Sequence, residues 1–270
     1  MVWNLSYLRP VKPLNICNMN FDKTSNPTLG EGIINRYAAF ATDRVMTVQG
    51  AVNKVALLLA LVILGATYTW SKVMTAAETG VFAVQGWMIG GSIAGFILAI
   101  VISFKKEWAP FLSPVYAVCE GLCVGALSAY FELMFPGLVM RAVLLTFSVM
   151  FAMLFLYKIR VIRATQRFRA IVLTATIGIA LAYFVTFIIS LFGVNMSFMY
   201  GGGSLGLIIS LVVVAIAALN LILDFDFIEK GAEAGLPAFF EWYGAFGLMV
   251  TLIWLYIEIL RLLAIVANRK

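Results

Sequence analysis

From residue 53 onward the chain is a succession of apolar runs separated by short polar stretches. The runs cover 53–70, 84–104, 112–132, 139–157, 170–192, 205–223 and 245–266. Each is near the roughly 20 residues that a helix needs to cross a bilayer. They are continuously apolar and do not alternate, which predicts membrane helices and excludes barrel strands. Trp70, Trp108, Tyr157 and Trp242 stand at run ends, where interfacial rings concentrate. The first 50 residues differ, with Pro10, Pro13 and Pro27 and scattered charges. Residues 1–30 read as a polar arm, and no apolar stretch with a cleavage site marks a secretory signal peptide. In EGIINRYAAFATDRVMTV, residues 31–48, apolar positions recur at helical spacing between charges. That pattern predicts a short amphipathic helix lying on the membrane surface. The chain therefore reads as an all-α integral membrane protein, with 1–50 an arm and interfacial helix and 51–270 a seven-helix membrane domain.

Composition agrees. The 270 residues are 63% hydrophobic and 12% charged, with a mean hydropathy of +1.01, against about 25% charged in soluble domains. Histidine is absent, which removes the usual neutral-pH proton shuttle. The 3 cysteines offer no zinc framework; Cys119 and Cys123, four apart, read as small buried hydrophobes. A net charge of +6 says less about nucleic acid than about topology. Of the 19 Lys and Arg, fourteen fall in the arm through Lys54 and in 105–111, 158–169 and 224–244. That bias puts the amino terminus in the cytoplasm. Seven spans then carry the carboxyl terminus across, although the basic ending NRK leaves a re-entrant last segment open.

Charge inside a bilayer costs about 2.5–3.5 kcal/mol at a helix centre, so retained intramembrane charges are candidates for function. Glu120 sits mid-span in CEGLCVGALS; it is either a protonatable group in a helix interface or a neutral, hydrogen-bonded carboxyl. Gly121 and Gly125 beside it allow a neighbouring helix to approach closely. Asp224 and Asp226 end the sixth run, in LILDFDFIEKG at 221–231. Two positions apart on a helix they diverge by about 200°, so one faces inward; that one is Asp224, with Asp226 and Glu229 mostly solvated. In the seventh run Thr251, Glu258 and Arg261 share a face, as a local ion pair or a polar lining. Lys105 and Lys106 close the second run as snorkelling cations.

GGGSLG at 201–206 follows a membrane span on the cation-poor side, so it reads as a connection and not a phosphate loop. DFDFIEKG puts phenylalanine at ligand positions and is no calcium-binding EF-hand loop. Nothing supplies a nucleophile with its base, and the chain does not read as an enzyme.

LILDFDFIEKG and AFGLMVTLIWLYIEILRLLAI at 245–265 resemble the Bax inhibitor-1 family of membrane proteins. SNPTLGEG at 25–32 and MTVQGAVNKVALLLALVILGATYTW at 46–70 resemble its bacterial YccA-related branch. The resemblance implies seven helices with the last one central. It implies a pH-sensitive calcium leak in a bacterial inner membrane, with no bound cofactor and with calcium or protons as permeant ions. The gate it implies is a pair of aspartates, one ending the sixth helix and one in the seventh, with a basic residue at the end of the second helix beside them. Residue by residue, the first acid falls on Asp224 and the basic position on Lys105 or Lys106. The second acid falls on Thr251, which cannot share a titrating proton; Glu258, two turns on and on the same face, is a candidate to replace it, as are Glu241 and Asp226. Carboxylates suit calcium, burial favours their neutral form and a nearby cation their charged form. The same branch implies an alternative, a non-transporting regulator that binds the membrane-bound FtsH protease through its arm.

Overall fold

The computed structural model describes residues 44–75, 82–192 and 204–269. Among these residues it has 7 helices long and apolar enough to cross a membrane. In chain order they are α1 (Val48–Thr75), α2 (Phe82–Phe104), α3 (Ala109–Met134), α4 (Leu138–Lys158), α5 (Gln166–Leu191), α6 (Ser204–Glu233) and α7 (Phe239–Ala267). A single 3-10 turn, Lys106–Trp108, links α2 to α3. All seven expected spans are present. The last is a 29-residue helix, so the re-entrant alternative falls. Of the expected surface helix over 31–48, residues 31–43 lie outside the described residues, as does the 193–203 part of the connection before α6. Residues 44–47 are not helical, and Val45 instead makes an isolated bridge with Pro237.

The sixth segment does not end at Asp224. α6 continues to Glu233, because its polar last turns find partners on neighbouring helices. Asp226 is 6% exposed. It is bonded to Arg169 of α5, and its other oxygen lies 2.8 Å from Lys230. Glu229 accepts from the Tyr157 hydroxyl of α4. The solvated boundary expected for these two acids is therefore a set of helix-to-helix bonds.

α7 is the centre of the bundle. It packs against α6, α1, α3 and α4 and is buried from Phe240 to Ile265. The close contact of α1 with α3 rests on small residues. A Cβ added at Gly65 would come within 2.9 Å of the Val118 carbonyl, and one at Gly121 would overlap the backbone of Val62. Without side chains there, the two backbones meet directly.

Candidate functional site

Asp224 lies in α6 where that helix faces α7. Its neighbours are Gly247, whose added Cβ would sit 3.7 Å from Oδ1, and Thr251. The Thr251 hydroxyl donates to the Gly247 carbonyl at 3.2 Å and stands beside the Asp224 carboxyl. The glycine makes room for the acid, and the threonine one turn on completes the recess. Asp224 Oδ2 is buried and has no hydrogen-bond partner among the described residues. Buried polar atoms are nearly always satisfied; among the described residues Asp224 Oδ2 joins the Ser113 and Ser210 hydroxyls as a buried oxygen without a hydrogen-bond partner.

The acids considered as a second member of a pair all stand elsewhere with partners of their own. Glu258, 3% exposed, accepts from the Tyr183 hydroxyl at 2.7 Å and lies 3.5 Å from Arg261, which donates to the same tyrosine at 2.8 Å. That triad ties α5 to α7. Asp226 belongs to the Arg169 and Lys230 cluster. Glu241, in the first turn of α7, is bonded to Lys54 and accepts from the Thr47 amide and hydroxyl at 2.8 and 2.9 Å.

Glu120 lies in the α2–α3 interface. An added Cβ on Gly95 would come 2.6 Å from its Oε2, so α2 is close-packed against the carboxyl. Beside it, Cys123 shares a 3.0 Å contact with Ser92. Neither lysine pairs with Asp224 among the described residues. Lys105 is exposed, 4.3 Å from the Trp108 ring centre. Lys106 is 5.1 Å from the Tyr243 ring, and Tyr243 packs edge-on against Phe227 of α6 at 5.7 Å. Lys106 thus touches the first turn of α7, one turn before Gly247.

A strap ahead of α1 is invisible in the hydropathy pattern. The Met46 amide donates to Leu236 at 2.6 Å, and the Ala238 amide to Arg44 at 3.2 Å. Met46, 2% exposed, packs its sulfur against Gly231, where an added Cβ would meet it at 2.9 Å. With Glu241 gripping Thr47 and Lys54, residues 44–47 are fastened across the α6–α7 turn. The run pattern marks Tyr157 only as an interfacial ring and does not mark Tyr183 or Tyr256, although all three bond to side chains of other helices. A phenol inside an apolar run is the available signal, since a buried hydroxyl seeks a partner.

A family described as Bax inhibitor 1 like matches residues 18–268. Neither curated proteins nor solved structures give a match.

Proposed function

This chain belongs to the Bax inhibitor 1 like family, and from that premise and the burial of Asp224 we propose that it is a pH-sensitive calcium or cation leak channel. The observation that carries the reading is the unsatisfied Oδ2 of Asp224 in the α6–α7 interface. A hard carboxylate oxygen suits calcium or a proton. A buried carboxyl that exchanges a proton changes charge where charge is costly, which gives the path a pH-dependent element. Thr251 and Gly247 shape the recess, and Lys106 stands beside the first turn of the same helix.

The test is calcium flux into liposomes holding the purified protein, from about pH 5 to 8. Asparagine imitates the protonated acid. Asp224→Asn is therefore expected to hold the flux, at every pH, at the level that the wild type shows at the acidic end. Wild-type pH dependence in that variant would remove Asp224 from the gate. The reading includes membership of the YccA-related branch, a bacterial inner membrane location with a cytoplasmic amino terminus, no bound cofactor and no enzymatic activity.

One observation favours a second reading, the FtsH-binding regulator. The strap fastens the root of the amino-terminal region to the α6–α7 turn, so a partner gripping that region would pull on the helices carrying Asp224 and Thr251. Deleting residues 1–30 is then expected to change the protein's turnover in cells that have the protease; unchanged turnover counts against this reading.

A further inference from the structure

Between α1 and α4 the bundle is open. These two helices do not pack closely against each other, and the gap leads into a cavity of about 450 Å³ backed by α3 and α7. That volume is within the roughly 300–1,000 Å³ of small-molecule sites. The cavity occupies the half of the bundle away from the 234–238 turn, since its α4 wall begins at Val139, in that helix's first turn. Its walls are apolar, with Ile63, Val143, Phe147 and Leu252 among them, and no charged side chain lines it.

The few polar groups in the wall select against a charged occupant. Ser128 donates to the Val124 carbonyl at 2.6 Å. The proton in its 2.7 Å bond with Tyr256 therefore comes from the tyrosine. Thr146 donates to Ala142 and Thr67 to Ile63, both at 2.8 Å. All four hydroxyl protons are committed, so nothing deep in the cavity can donate to a phosphate or carboxylate. An anion there would be desolvated and unpaired. A hydrocarbon chain loses nothing. The remaining side-chain donor in the wall is the indole N–H of Trp70, near the end of α1, and tryptophan suits headgroup level. The wall from Leu59 to Trp70 rises about 16 Å at 1.5 Å per residue. That matches half of the ~30 Å hydrocarbon core.

We propose that this crevice holds one hydrocarbon chain of a bilayer phospholipid. The chain enters between α1 and α4, with its ester end at Trp70 and its methyl end at the level of Leu59 and Leu252. The bilayer supplies the occupant, and the depth of one leaflet fixes its length.

The experiment places the full chain in nanodiscs of a phospholipid whose acyl chain carries a diazirine, and maps photolabelled peptides by mass spectrometry. Labelling of 59–70 and 139–147 is expected to exceed that of the α5 face carrying Ile171, Ile177 and Phe184, which are exposed. Val143→Trp fills the crevice and is expected to abolish the excess. Val139→Trp, at the rim, does the same if the first variant does not fold. Equal labelling of crevice and α5 overturns the proposal, and so does an excess that survives in either folded variant.

Discussion

At Asp224 and Thr251 the chain keeps the geometry of a facing pair with one acid. The two side chains stand together across α6 and α7, yet only one of them titrates. Two carboxyls this close cannot both ionise easily and share a proton across two macroscopic steps. On the proposed leak-channel reading, Thr251→Asp is therefore expected to broaden the pH dependence of flux into two steps, and Asp224→Asn added to it to return a single step. A Thr251→Asp profile identical to the wild type would mean that the two positions do not communicate. Glu258 gives the complementary case. Its partners are Tyr183 and Arg261, and glutamine keeps an acceptor for the phenol. Glu258→Gln is expected to leave the pH response of flux unchanged, and a shift in that response would bring Glu258 into the gate.

At the scale of elements, the seven spans were legible because a bilayer demands a fixed apolar length, and run length is local. Helix ends were not legible. Asp226, Glu229 and Lys230 read as the start of a loop because their partners, Arg169 and Tyr157, are distant in sequence. The helical period predicted that only one of Asp224 and Asp226 faces inward, yet both meet a neighbouring helix; this, the isolation of Asp224 Oδ2 and the partners of Glu258 and Glu241 were not legible, since each depends on which helices meet. The Gly121 and Gly125 spacing did predict a close approach, and α1 fills it. Gly121→Leu forces a side chain into the Val62 backbone. It is expected to cost at least the about 1–3 kcal/mol of an overpacked core, read as a lower melting temperature in detergent. The ion pair of Arg169 with Asp226 joins α5 to α6 with the acid buried. Removing one partner so that a buried charge is left unpaired costs about 3–5 kcal/mol, but Lys230 still holds the other oxygen of Asp226, so Arg169→Ala is expected to destabilise the fold by less than that, and Arg169→Ala with Lys230→Ala by more than Arg169→Ala alone. A double variant no less stable than Arg169→Ala, read from melting temperatures in detergent, would show that Lys230 does not compensate the acid.

For the whole molecule, the helices alternate direction, so the two ends of the bundle carry different charge. Among the described residues, the end with the strap gathers Arg44, Lys54, Lys105, Lys106, Lys158, Arg160, Arg163, Arg167, Arg169 and Lys230, while the other end has Lys72, Arg141, Arg261 and Arg269. Cations near span ends resist translocation, so the crowded end is the one expected in the cytoplasm. That orientation puts the strap, the α6–α7 turn and Lys106 on the cytoplasmic side, and the mouth of the crevice in the outer leaflet. The assignment can be read directly. In a variant without the three cysteines, Arg163→Cys and Arg141→Cys place one thiol at each end, both at exposed positions. A membrane-impermeant maleimide is expected to label position 141 in intact spheroplasts and position 163 only in inverted vesicles. The reverse pattern would put the strap outside the cell, beyond the reach of any cytoplasmic partner, and would move the lipid-chain crevice to the inner leaflet.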